Sequence, residues 1–248
     1  MTGKLSRSEA AAKVMVALDK PDAEAALRLA GRLEGSGCWA KVGMELFYAA
    51  GPSVVRELKA RGLKVFLDVK MHDIPNTVRG GARSIVRLGV DMFNVHAAGG
   101  LAMMEAAVQG IREAAEEGGS PLTELPLVIA VTQLTSTSQA TLNEEIGISG
   151  SVEAAVVRYA ELAKRAGLNG VVASPLETGA IKAACGDRFM TVTPGIRPRG
   201  ADIGDQSRVT TPREAVAGGT DYLVIGRPIT AAPDPAAALN TIIEEMCS

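Results

Sequence analysis

The sequence is poor in aromatic residues: four Phe, three Tyr and one Trp make up 3% of 248 residues, against 47% hydrophobic residues in all. Its core must therefore be aliphatic, which suits a closely packed α/β protein better than an aromatic-rich sandwich. Cysteine is nearly absent. Cys38, Cys185 and Cys247 are widely spaced with no Cys-x-x-Cys pair, so reduced thiols are expected rather than a disulfide framework or a zinc site. Charge of one sign is lacking too: the formal net charge is −2 and the pI near 5.8. That balance excludes an electrostatic footprint for nucleic acid or an anionic membrane surface. No apolar run is long enough to span a bilayer, and segment 4–13 is too charged to be a signal-peptide core. A soluble, cytoplasmic protein is expected.

What is present is alternation. Strand-like apolar runs occur at 14–19, 39–43, 64–70, 92–96, 127–134, 170–174, 190–194 and 222–226. Helical patterns fall at 23–33, 52–61, 76–88, 101–117, 152–166, 177–184, 212–217 and 235–246, and Gly62, Gly89, Gly167 and Gly186 stand where helices end. Eight strand–helix units without a composition break predict a single-domain (β/α)8 barrel over residues 13–248, with 1–12 as an N-terminal extension. The competing open doubly wound sheet needs a Gly-rich turn after its first strand, and Asp19-Lys20-Pro21-Asp22 is not one. The longest irregular stretches, 135–150 and 196–211, both follow strands and are expected to be binding loops.

In such a barrel the chemistry sits at the C-terminal strand ends. These ends carry Asp19, Lys41, Asp68 with Lys70, His96, Thr132, Ser174, Thr193 and Gly226-Arg227. The third strand runs into Asp68-Val-Lys70-Met-His72-Asp73-Ile-Pro-Asn-Thr77, placing an acid and an amine two residues apart and so on one side of the strand. A second acid, Asp73, follows in the turn. Asp19 and Lys41, from adjacent strands, fit a structural ion pair or a pair of contacts to sugar hydroxyls. His96, one of only two histidines, reads as a structural group before a catalytic one. Asp19, Asp68, Asp73 and His96 have the atom types to hold Mg2+ or Zn2+. The fixed positive charge of Lys70 inside that cluster argues for a metal-free site. Thr193-Pro-Gly195-Ile-Arg197 and Val224-Ile-Gly226-Arg227-Pro228 have the glycines, arginines and helix start of a phosphate site after strands seven and eight, with Gln206 and Arg208 in the loop between.

Together these motifs resemble the orotidine 5'-monophosphate decarboxylase family of the bacterial type. The resemblance covers nearly the whole chain, from Val16-Ala-Leu-Asp19 and Lys41-Val-Gly43 through Asp68–Thr77, Asn94-Val-His96 and Ala130–Ser136 to Thr193–Arg197, Gly204-Asp-Gln206 and Val224–Pro228. It implies cofactor-free decarboxylation of orotidine 5'-monophosphate (OMP) to uridine 5'-monophosphate (UMP), the last step of UMP synthesis, in a homodimer with shared active sites. It also implies roles: Lys70 as proton donor, Asp68 as its charged neighbour, Asp73 and Thr77 reaching into the partner's site, and Asp19 and Lys41 on the ribose. Thr135, Arg197, Gln206, Gly226 and Arg227 would contact base or phosphate. The nearest rival is a Mg2+-dependent sugar-phosphate decarboxylase or aldolase of the 3-keto-gulonate 6-phosphate type, which shares the Asp-x-Lys-x-x-Asp run. A non-catalytic sensor of a phosphorylated ligand would have no need of Lys70.

Overall fold

A computed structural model describes residues 4–118, 125–198 and 209–248. Strands β1 (Val14–Ala17), β2 (Trp39–Gly43), β3 (Lys64–Met71), β4 (Met92–His96), β5 (Leu127–Val131), β6 (Gly170–Val172), β7 (Met190–Thr193) and β8 (Tyr222–Ile225) run parallel and close into a barrel in chain order. Pairing of Val14 with Leu223 and of Met15 with Trp39 seals β1 between β8 and β2. The expected (β/α)8 barrel is the observed fold.

Period-two alternation sorts each strand into a core side and a helix side. Met15, Trp39, Phe66, Met92, Ile129 and Val192 point inward and fill the barrel floor. Two residues further along, the inward positions become Ala17, Lys41, Asp68 and Val131, which line the open end. Outward residues such as Val16, Val42, Leu67 and Phe93 pack under the helices. The same alternation that builds the core thus delivers Lys41 and Asp68 to one cleft.

The opposite end is closed by a repeated device. Asp91, Asn169 and Asp221 stand just before β4, β6 and β8, and their side-chain oxygens accept the N–H of Val65, Val128 and Thr191 on the preceding strands at 2.7–2.8 Å. Each satisfies a donor at a strand start. Lys59 and Lys182 add ion pairs to Asp91 and Asp221 at 2.6 and 2.7 Å. Residues 7–12, within the expected extension, form a helix (Arg7–Ala12) with a Ser6–Glu9 capping box. It lies against the helix Pro235–Cys247 through Arg7–Glu244 at 2.8 Å, and Ala12 O accepts from the indole N–H of Trp39.

Helices Ala23–Gly31, Pro52–Ala60, Pro75–Arg87, Gly100–Gly118, Val152–Arg165, Thr178–Cys185, Pro212–Ala217 and Pro235–Cys247 match the expected ones within a few residues. One further helix, Met44–Ala50, precedes Pro52–Ala60; Gly51, at φ 64, and Pro52 break the pair. A turn of π-helix, Thr141–Glu145, lies in the stretch expected to be irregular. Three strands end two or three residues earlier than expected, at Ala17, Val131 and Val172, although Leu18, Thr132 and Ala173 N–H still bond to Lys41 O, Val172 O and Val192 O. Cys38 and Cys185 are buried and Cys247 is partly exposed, all as free thiols.

Candidate active site

A cavity of ≈530 Å³ opens at the C-terminal strand ends, lined by Asp19, Lys41, Asp68, Lys70, Thr135, Arg197, Gly226 and Arg227 among others. That is an ordinary size for a small-molecule site. Its floor carries four charges in alternating order. Lys41 Nζ lies 3.1 Å from Asp19 Oδ1 and 3.4 Å from Asp68 Oδ2, and Lys70 Nζ lies 2.7 Å from Asp68 Oδ1. Lys41 is therefore shared between two acids, rather than paired with Asp19 alone. Gly43 makes room for this: a Cβ there would sit 2.9 Å from Asp19 Oδ1 and 3.0 Å from Lys41 Nζ.

Lys70 is held by an unusual backbone. Among the described residues it alone, apart from glycines, has positive φ, at 50°, which costs a side-chain-bearing residue about 1–2 kcal/mol. The β3–β4 register breaks here: Leu67 faces Phe93 and Met71 faces Val95, so four residue steps on β3 span two on β4. This is a bulge, which re-aims side chains. The freed Lys70 N–H donates to Asn94 Oδ1 at 2.8 Å, while Asn94 Nδ2 donates to Asp68 Oδ1 at 2.7 Å. Asn94 is fully buried. In the sequence Asn94 stands as an amide within an apolar strand and within the Asn94-Val-His96 motif, with nothing to mark its link to Lys70.

Burial works against the Asp68 carboxylate, but the nearby Lys41 and Lys70 ammoniums and the hydrogen bonds from Lys70 and Asn94 outweigh it and hold its pKa below the usual range. His96 titrates below the ordinary histidine value, through burial first and then the charges of His72 and Lys70. Its ring lies 5.8 Å from that of His72, outside the cavity lining. Among the described residues no three His, Cys, Asp or Glu side chains are gathered as metal ligands would be.

The far wall offers anion contacts. Gly195, at φ 82, turns the chain after β7. Arg197 N–H donates to Thr210 O and Thr210 N–H to Gly195 O, clamping the base of the β7 loop. Gly226 precedes a helix of four residues, Arg227–Thr230, so its first-turn N–H groups and the arginine matter more than a summed dipole. Gln206 and Arg208 lie outside the described residues.

Besides His96, three strand-end groups do not line the cavity. Thr132 Oγ1 donates to Val172 O at 3.0 Å, Ser174 caps the turn Pro175–Glu177, and Thr193 is buried on the helix side. The ring of eight polar ends is thus a partial one. Asp73 and Thr77 also lie elsewhere, in a neighbouring groove of ≈600 Å³ that Lys70 shares with Phe47, Tyr48, Val69 and Met71. Asp73 is exposed and accepts its own neighbour's N–H, from Ile74 at 2.7 Å. Among the described residues the ion pair of Lys70 is with Asp68, so its second acid does not come from Asp73 of the same chain.

The sequence profile of the orotidine 5'-phosphate decarboxylase / HUMPS family matches residues 12–242. A Moorella thermoacetica protein named orotidine 5'-phosphate decarboxylase is 55% identical over 243 residues, 98% of this chain and 95% of that one. A Bacillus cereus protein of the same name is 50% identical over 94% of this chain and 96% of its own length. The crystal structure of orotidine 5'-phosphate decarboxylase from Lactobacillus acidophilus superposes with a TM-score of 0.82 at 40% identity, covering 94% of this chain and 98% of that chain. An uncharacterized conserved protein from Geobacillus kaustophilus gives 0.81 at 44%, covering 94% and 99%. A profile match over almost the entire barrel, with full-length relatives at half identity or better, means that the chain belongs to the orotidine 5'-phosphate decarboxylase / HUMPS family.

Proposed function

We propose that this chain decarboxylates OMP to UMP, with Lys70 as the group that meets the carbon losing CO2. The observation that carries this reading is the alternating array Asp19–Lys41–Asp68–Lys70 on the floor of a nucleotide-sized cleft. Loss of CO2 from C6 of the pyrimidine leaves an sp2 carbanion with no carbonyl placed to delocalise it. A fixed ammonium beside that carbon stabilises the growing negative charge, and it can then deliver a proton to the same atom. The array is assembled before substrate arrives, so little reorganisation accompanies bond breaking. Because the ammonium supplies both the charge and the proton, the proposed reaction calls for no metal or organic cofactor.

Asp68 keeps Lys70 in place and faces the leaving carboxylate. Asp19 and Lys41, at the end of the array away from Lys70, suit the ribose hydroxyls. Thr135 suits the base; Arg197, Gly226 and Arg227, with Gln206 from the loop, suit base and phosphate. Phosphate binding, remote from C6, supplies energy that can organise the charged floor. We assign Asp73 and Thr77 to the site of a second copy in a homodimer. Supporting this are the groove beside Lys70 and the exposed apolar side chains next to it, Tyr48 and Ile74, 74% and 67% accessible. Among the described residues no helix is long and apolar enough to cross a membrane.

The test is OMP turnover by the native chain and Lys70→Ala, with EDTA present throughout. Native turnover in EDTA and a loss of several orders of magnitude in Lys70→Ala are expected. Near-normal turnover by Lys70→Ala refutes the assigned role, and activity abolished by EDTA favours the Mg2+-dependent rival.

A further inference from the structure

We infer that Asn94 is a positioning residue for the reaction, holding Lys70 folded back over Asp68; the inference rests on the decarboxylase reading of the cleft. Its two hydrogen bonds go to the two residues that reading depends on most. Asn94 Oδ1 accepts the main-chain N–H of Lys70, and Asn94 Nδ2 donates to Asp68 Oδ1, the oxygen that also accepts from Lys70 Nζ. One fully buried amide therefore fixes the backbone of the lysine and the acid that holds its tip.

The bulge shows what the amide opposes. Between the anchor pairs Leu67–Phe93 and Met71–Val95, four residue steps along β3 occupy the span of two on β4. At roughly 3.3 Å per residue, four extended residues would climb about 13 Å, twice the distance available. The chain takes up the excess by placing Lys70 in the left-handed region, where its N–H turns to Asn94 Oδ1. An apolar residue at 94 takes away the partner of that partly buried N–H and leaves Asp68 with one hydrogen bond fewer. The backbone then gains by relaxing, and the ammonium moves off the reacting carbon.

The experiment uses Asn94→Ala and Asn94→Asp. In Asn94→Ala, kcat falls about 10- to 100-fold, while KM for OMP and Kd for UMP stay within about threefold, because Asp19, Arg197 and Arg227 are untouched. In Asn94→Asp, a protonated carboxyl copies the amide: its C=O accepts from Lys70 and its O–H donates to Asp68. Once ionised it repels Asp68, and two such carboxyls hold a proton to higher pH than one. Its kcat relative to the native chain therefore rises as pH falls from about 8 to about 5, a signature a purely structural role does not produce. This variant keeps the native shape and decides the matter if Asn94→Ala does not fold. A pH-independent ratio, or kcat in folded Asn94→Ala within about threefold of native, overturns the inference. If the native chain fails to turn over OMP, the decarboxylase reading is what has failed. A crystal structure of Asn94→Asp at alkaline pH then settles positioning: departure of Lys70 from positive φ supports it, and an unchanged φ with the 2.7 Å contact to Asp68 intact overturns it.

Discussion

Replacing Asp68 by asparagine keeps the side-chain shape and removes one charge from an array with two of each sign. In the native chain Asp68 is 14% exposed and takes contacts from Lys70 at 2.7 Å, Lys41 at 3.4 Å and Asn94 at 2.7 Å. Breaking a fully buried ion pair costs about 3–5 kcal/mol. Here Lys70 keeps a quarter of its side chain in solvent and Lys41 keeps Asp19, so Asp68→Asn should cost about 2–3 kcal/mol, a fall in Tm of roughly 4–12 °C for a chain of this size. The folded-state pKa of Asp68 is depressed. Its contribution is then fully present above the unfolded value of about 3.9 and is lost as pH falls through the folded value. Thermal melts of the two proteins should differ at neutral pH and converge below about pH 4. Turnover, followed by the ultraviolet change as OMP becomes UMP, should fall by at least about 100-fold because Lys70 loses its tether. Equal Tm at neutral pH, together with kcat within about threefold of native, would refute the idea that the alternating charges hold one another in place.

Other perturbations probe separate parts of the account. Arg227→Ala should raise KM for OMP about 100-fold, with partial rescue by added guanidinium; an unchanged KM counts against a phosphate contact. If the proposed homodimer shares its sites, mixing inactive Lys70→Ala and Asp73→Ala proteins should regenerate about a quarter of native activity, since half the dimers would be hybrids with one intact site each. Silent mixtures argue for self-contained sites. Gly110→Ala should destabilise the fold by about 1–3 kcal/mol, because a Cβ there meets Arg79 O at 2.3 Å where helices Gly100–Gly118 and Pro75–Arg87 cross. A Tm equal to native shows that this crossing can relax.

The barrel was legible because burial on both faces leaves a nearly unbroken apolar run in each strand, such as Lys64–Leu67 or Leu127–Val131. Polar residues then mark the strand ends. The cleft was legible in part for the same reason: inward alternation puts Lys41 and Asp68 above Trp39 and Phe66. The alternation does not say which polar end faces the cleft, and Thr132, Ser174 and Thr193 proved to serve backbone, cap and core. Nor does it foretell a register break, so the bulge at Lys70 and the amide of Asn94 that answers it emerged only in three dimensions. The helix Arg7–Ala12 was not expected, since residues 1–12 read only as an extension, although Ser6 and Glu9 stand at the spacing of the capping box they form. Met44–Ala50 was harder, because Gly51 and Pro52 suggest only a loop.

The most direct measurement is a crystal structure with a 6-substituted UMP bound. The account predicts Lys70 Nζ within about 2.6–3.2 Å of the substituent on C6, with Asp68 and Asn94 still in contact as found here. A nitrogen turned away from the pyrimidine, or a divalent ion standing in its place, contradicts it.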